Sequence, residues 1–218
     1  MEFKDGDFVE VEFDIYANNR LVQTTDEKKA KENNVNTNSF GPKTIILGKN
    51  FIIEAVDKDI IEKKSKDAQV LELECEKAYG RRRKDLIKVL PKSAFDEHQQ
   101  RPVVGMTYDF NGTYGIIKSI VGGRIMVDFN NPLSGKDIKI EYKVISKVED
   151  IAKKVSEVLK SLLQIPDDMF KVESKEKEVT LKLPEQLVPM GDMITQSLGE
   201  FIADIKDYSV KIENFKKE

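Results

Sequence analysis

The chain has 218 residues, 36 of them lysine or arginine and 39 aspartate or glutamate, for a formal net charge of −3. That near balance excludes general nucleic-acid or acidic-lipid binding as the organising chemistry, while the length suffices for one large domain or about two to three small ones. No run approaches the ~18 apolar residues of a membrane span, and the only cysteine, Cys75, and only histidine, His98, offer neither an internal disulfide nor a structural zinc cluster.

Residues 8–16 (Phe-Val-Glu-Val-Glu-Phe-Asp-Ile-Tyr) alternate apolar and polar side chains, which predicts a strand with one buried face. Asn18-Asn19 marks a turn, and Leu21-Val22-Gln23-Thr24-Thr25 resumes the sheet. Residues 26–38 are polar and read as a surface excursion with a helical turn over residues 27–32. Lys43-Thr44-Ile45-Ile46-Leu47-Gly48 is a third strand, closed by its glycine. Apolar residues at 52, 53, 56, 60 and 61 have helical spacing, and Val70-Leu71-Glu72-Leu73-Glu74-Cys75 alternates again, with Cys75 packed in the strand.

Between about residues 86 and 130 the pattern changes to short strands, at 104–106, 115–121 and 124–128, separated by Asn111-Gly112 and Gly122-Gly123 turns. That is the pattern of a small all-β module. Residues 138–148 then read as a strand returning to the first sheet. Beyond it, Ile151, Val155, Val158, Leu159, Leu162 and Leu163 share one face of a helix that Pro166 stops. A hairpin around Lys175-Glu176-Lys177, a second amphipathic stretch over residues 190–205 and a final strand over residues 208–215 complete an α+β region. The chain opens on Glu2-Phe3-Lys4-Asp5-Gly6-Asp7, not on an apolar signal region, and with one cysteine the expected compartment is the reducing cytoplasm.

Residues 75–95, with Ala78-Tyr79-Gly80 and Val89-Leu90-Pro91-Lys92-Ser93-Ala94-Phe95, resemble the active-site flap of FKBP-type peptidyl-prolyl isomerases, and specifically the insertion of the SlyD-like and archaeal long-type members. Asp128 and Phe129-Asn130-Asn131-Pro132-Leu133-Ser134-Gly135-Lys136 resemble the exit from that insertion. Gln23-Thr24-Thr25, Phe40-Gly41-Pro42 and Ile46-Leu47-Gly48 match the archaeal long type in order and spacing. The resemblance implies an α+β fold: an FKBP-like antiparallel sheet wrapped on a helix (residues 1–85 plus 131–148), an inserted all-β client-binding module (86–130) and a C-terminal α+β domain (149–218). It also implies peptidyl-prolyl isomerisation with chaperone activity, no cofactor, and unfolded or nascent proline-containing polypeptides as partners.

Carried onto this sequence, the resemblance implies catalytic positions at Tyr79, Gln23 and Phe13, and substrate-binding positions at Ile45, Ile52, Ile53, Val56, Leu86 and Ile140. Phe13 stands where the family usually has Tyr, Gln23 where it has Asp, Val56 where it has Trp or Leu, Ile140 where Phe is common, and Ala55 where Gly is usual. X–Pro rotation faces a barrier of ~18–20 kcal/mol, which an apolar pocket lowers by stripping water from the amide and holding it twisted. Losing one charge-assisted contact at position 23 corresponds to ~1.5–3 kcal/mol of transition-state stabilisation, or roughly ten- to a hundred-fold in rate. The alternative expectation is therefore a non-catalytic holdase on the same scaffold. Arg81-Arg82-Arg83-Lys84 reads as a solvated loop in preference to an RNA contact. The inserted module offers Val103, Val104, Met106, Ile116 and Ile117 for clients, and the C-terminal region Met190, Met193 and Leu198.

Overall fold

The computed structural model describes residues 2–37, 40–96, 101–163 and 165–215, which form two compact units. One is built from residues 1–15, 21–71 and 140–218, the other from residues 16–20 and 72–139. His98, expected on a loop, lies outside the described residues.

In chain order the elements are β1 (Phe8–Ala17), β2 (Arg20–Thr24), α1 (Glu27–Asn33), β3 (Lys43–Ile46), α2 (Glu54–Lys63), β4 (Gln69–Leu73), β5 (Ile87–Pro91), α3 (Ser93–Asp96), β6 (Thr107–Phe110), β7 (Thr113–Val121), β8 (Arg124–Asp128), β9 (Ile138–Val148), α4 (Ile151–Leu163), β10 (Lys171–Lys175), β11 (Glu178–Leu183), α5 (Gly191–Phe201) and β12 (Ser209–Asn214). The strands form three sheets: β2-β1-β9-β4 with β3 on β1, then β5-β8-β7-β6, then β10-β11-β12.

In the first sheet β1 alternates as its sequence does. Val9, Val11, Phe13, Ile15 and Ala17 lie on one buried face. Asn18 and Asn19 both take positive φ, 48° and 64°, the conformation a two-residue turn between twisted strands requires. β3 pairs antiparallel with β1, placing Ile45 opposite Val9 and Ile46 opposite Phe8. The expected returning strand, β9, lies beside β1, between it and β4. α1 opens on Asp26, whose carboxylate accepts from the backbone N–H groups of Lys28 and Lys29. α2 begins later than its apolar spacing suggests, because Ile53 is held in an extended conformation as its N-cap.

The other face of β1 carries Phe8, which is 1% exposed and belongs to a cluster with Ile46, Val148, Val155, Leu159, Leu181 and Leu198. The apolar face of α4, the helix between β11 and β12 and the inner face of the third sheet close over these residues. β10 and β11 form the expected antiparallel hairpin, whereas β11 and β12 run parallel. Parallel neighbours need a crossover, and α5 supplies it. Gly191 opens α5 where a Cβ would collide with the Ile212 side chain, so the helix lies directly on β12. Leu198, expected on a client surface, is fully buried in this cluster, while Met190 and Met193 remain exposed.

In the second unit β8 pairs with both β5 and β7, and β6 closes the far edge. Phe95, Tyr108, Ile117, Ile125 and Val127 form its own core, with Phe95 edge-on to both Tyr108 and Phe110. A Cβ at Gly115 would overlap Val127 and Phe129, so glycine is what lets that core close. Ile117, expected to face clients, is at the centre of it. The strand expected at residues 104–106 is a turn through Gly105, and pairing begins at Thr107; β5 is a strand with no counterpart in the alternation analysis. Cys75 does not sit in a strand either. β4 ends at Leu73, the Cys75 N–H donates to the Asp137 carboxylate at 3.0 Å, and the chain turns tightly until Gly80 N–H meets Cys75 O at 2.7 Å.

Candidate active site

The residues expected around a prolyl substrate divide between the two units. Phe13, Gln23, Ile45, Ile52, Ile53, Val56 and Ile140 belong to the first, and Tyr79 and Leu86 to the second.

Within the first unit, Phe13 is buried on the apolar face of β1 and its backbone is clipped to the chain after β2. Phe13 N–H donates to Thr25 Oγ1, and Thr25 N–H donates to Phe13 O, each at 3.0 Å. Ile45 from β3, Val56 from the first turn of α2 and Ile140 from β9 are buried; Ile53 is 8% exposed and Ile52 half-buried where the chain enters α2. Gln23 is exposed on β2, next to buried Thr24. Tyr142, two residues beyond Ile140 and on the same face of β9, donates its hydroxyl to the Asp59 carboxylate of α2. Burial and that bond push its phenol far above the usual range.

A cavity of about 320 Å³ opens beside Phe13, lined also by Asp14, Thr25, Lys29, Gln69 and Tyr142. Of the expected site residues only Phe13 borders it. Asp14 is 7% exposed and pairs with Lys29 and the Thr24 hydroxyl. A carboxylate thus lies one residue from Phe13, but its charge is balanced by a lysine. Sequence reasoning passed over Asp14, Lys29 and Tyr142, since an acidic residue in an alternating strand normally marks the wet face.

In the second unit Tyr79 is half-buried, and desolvation raises its phenol above the ordinary value. Leu86 ends a short 3₁₀ turn, Lys84–Leu86. Between them, Arg81 pairs with Glu76, Arg82 with Asp128 and Arg83 with Asp85. Each arginine of the basic run thus has a carboxylate partner.

A model of the FKBP26 IF domain matches residues 88–133, from β5 through β8 and onward to Leu133. A short-type peptidyl-prolyl cis-trans isomerase of Methanocaldococcus jannaschii is 29% identical over 143 residues, 65% of this chain and 91% of that protein. The FKBP-type peptidyl-prolyl cis-trans isomerase SlyD of Helicobacter pylori is 27% identical over 107 residues, 48% of this chain and 58% of that protein. An FKBP-type 16 kDa peptidyl-prolyl cis-trans isomerase of Escherichia coli is 27% identical over 113 residues, 50% of this chain and 75% of that protein. The chain is a SlyD-like relative of the FKBP-type peptidyl-prolyl isomerases.

The segment before α2 is anchored by Asp57, which is 2% exposed. Its Oδ2 accepts from Gly48 N–H at 2.9 Å and Asn50 N–H at 3.0 Å, so the turn leading to Ile52 and Ile53 hangs on one buried carboxylate. Burial raises its pKa more than these two bonds lower it. With the folded pKa above the unfolded one, the folded state binds more protons. The stability Asp57 contributes is then fully present below the unfolded pKa and declines as pH rises through the folded pKa. Asp57→Ala should cost about 2–4 kcal/mol by removing two part-buried hydrogen bonds to a carboxylate. The cost should be larger at mildly acidic than at neutral pH, as urea titrations across pH 4–7 would reveal. A cost that grew toward neutral pH would reverse this assignment.

Proposed function

We propose that the chain is a peptidyl-prolyl cis-trans isomerase that acts on unfolded or nascent proline-containing polypeptides in the cytoplasm, with residues 86–130 as a client-holding module. The proposed organisation places the isomerase domain in residues 1–85 plus 131–148, with residues 149–218 as an α+β domain docked through Phe8 and Ile46. The relationship to the M. jannaschii enzyme, across 91% of that protein, carries the isomerase reading. The aliphatic set Ile45, Ile52, Ile53, Val56 and Ile140 with Phe13 suits it, because rotation about an X–Pro bond asks for a dry wall and not for a nucleophile or metal. In this reading Tyr79 offers its hydroxyl to the substrate carbonyl. Gln23 keeps a hydrogen-bonding group where the family has a charge.

The holding activity is supported by the outer face of the second unit's sheet. Val89 of β5 lies opposite Met126 of β8, Met126 opposite Ser119 of β7, and Val121 opposite Arg124, so Val89, Met126 and Val121 share the side away from the module's core. They are 58%, 39% and 72% exposed, and Tyr114 on the same side is 66% exposed. Val103, Val104 and Met106 add exposed apolar surface in the turn before β6. Such a patch on an otherwise charged protein suits an unfolded chain, which brings apolar side chains of any sequence.

A protease-coupled assay on short prolyl peptides tests the isomerase reading. Gln23 is exposed, so Gln23→Asp adds the charge without disturbing packing, and kcat/KM should rise about tenfold or more if one charge-assisted contact is what the pocket lacks. If neither the natural chain nor this variant isomerises while both suppress client aggregation, the scaffold serves holding alone.

A further inference from the structure

Where the inserted module joins the rest of its unit, two stretches of chain run side by side, residues 79–87 going in and 128–135 coming out. Ile87 and Asp128 are the last partners of the β5–β8 ladder, and Phe129 N–H donates to Leu86 O at 2.9 Å. The next backbone bond between the two stretches comes only at Gly135 N–H to Gly80 O. Asn130 takes over with its side chain: Oδ1 accepts from Arg83 N–H at 2.8 Å and Nδ2 donates to Arg83 O at 2.9 Å. A carboxamide is the side chain that presents a donor and an acceptor in the geometry of a peptide group, so it substitutes for one rung of a ladder.

The carboxamide is itself held. Asn130 Nδ2 and backbone N–H both donate to Asp128 Oδ1, at 2.8 and 2.9 Å, and the Asp128 carboxylate is paired with Arg82. Further along, Ser134 Oγ donates to Tyr79 O at 3.0 Å and Gly135 N–H to Gly80 O at 2.8 Å. Asp128, Asn130 and Ser134 are 1%, 7% and 7% exposed, so the side chains on the exit stretch are largely shielded from water. By contrast the other two arginine pairs of the segment, Arg81–Glu76 and Arg83–Asp85, join exposed groups close in sequence, and such pairs hold little.

We infer that Asn130 is a positioning residue for the isomerase: bonded to Arg83 and Asp128, it orders the segment that carries Tyr79 and Leu86. This rests on the proposed isomerase function. Without the Asn130 rung the segment samples open forms, and substrate binds only the closed fraction. Apparent affinity falls by that fraction while the bound complex, once closed, turns over as before. The result is a rise in KM at constant kcat. A variant that simply misfolds does the reverse, losing active molecules and therefore kcat at constant KM.

The test compares the full-length natural chain with Asn130→Ala and the milder Ser134→Ala, measuring kcat and KM on a short prolyl peptide and amide hydrogen exchange at Arg83 and Gly135. For Asn130→Ala, KM should rise about tenfold with kcat within about twofold, as for a closed fraction cut to a tenth. Both amides should exchange faster, and aggregation suppression should stay at the natural level. Ser134→Ala should move KM the same way by about two- to threefold. An active natural chain whose KM and exchange are unmoved by Asn130→Ala, or whose kcat alone falls, overturns the inference. If the natural chain shows no isomerisation, the functional reading has failed instead; faster exchange then still supports the ordering role of Asn130, and unchanged exchange removes it.

Discussion

A chain in which residues 88–127 are replaced by a short Asn-Gly turn should isomerise short prolyl peptides within about twofold of the intact protein and lose nearly all suppression of client aggregation. The geometry for the replacement is present. Ile87 and Asp128 are antiparallel partners, which places their Cα atoms ~4.5–5.5 Å apart, a gap that a two-residue hairpin turn closes. What is removed carries its own core of Phe95, Tyr108, Ile117, Ile125 and Val127, and of the side chains packed on that core only Phe129 stays behind. The Asp128–Asn130 bonds to Arg82 and Arg83 stay in place. A gentler form, Val89→Glu with Met126→Lys, keeps the sheet by setting opposite charges across one rung while spoiling the apolar face. Light scattering of an aggregating client and the protease-coupled assay read the two activities separately. Retained aggregation suppression in the shortened chain would move the holding surface to the exposed Met190 and Met193 region.

Phe8→Ala should destabilise the first unit by about 3–5 kcal/mol, the cost of emptying a large, well-packed aromatic site. Against a usual total of about 5–15 kcal/mol this is a large share. Phe8 is 1% exposed and packs with Ile46 from the first sheet and with Val155, Leu159 and Leu181 from the C-terminal region. Polar ties run beside it: Lys153 of α4 reaches Glu10 at 2.5 Å, the Lys154 ammonium sits 5.8 Å from the Phe8 ring centre, and that of Lys49 sits 5.2 Å from Phe201. Urea unfolding followed at probes in β1 and in β11 should show both transitions shifted together. A loss below about 1 kcal/mol, or a shift at one probe only, would mean that residues 149–218 hold their own core and rest only lightly on the first sheet.

The prolyl-isomerase relationship was legible because it rests on short motifs whose order survives: Ala78-Tyr79-Gly80, the entry through Leu90-Pro91 and the exit through Asn130 to Lys136. Much of the secondary structure was legible too, for a local reason. Alternation in residues 138–148 and 124–128, and the 3.6-residue spacing of residues 151–163, coincide with β9, β8 and α4 as formed. Strands and helices advertise which face is apolar through periodicity alone. Periodicity says nothing about what will cover that face. Ile117 and Leu198 have the same apolar character as Val121 and Met193, yet the first two are sealed in cores and the others face water. Asp14 sits among the polar residues of β1 and is buried because Lys29 comes to it from α1 and Thr24 from β2. Phe8, on the face of β1 that would ordinarily meet solvent, is core because α4 and the third sheet close over it. The parallel pairing of β11 with β12 and the Asn130 rung across 47 residues are likewise outcomes of chain return. The sequence by itself determined the elements, the turns and the family likeness, since each depends on neighbours within a few residues. Only the tertiary structure decided which apolar faces meet, which charges neutralise one another and which side chain stands in for backbone, because those contacts depend on residues brought together from far along the chain.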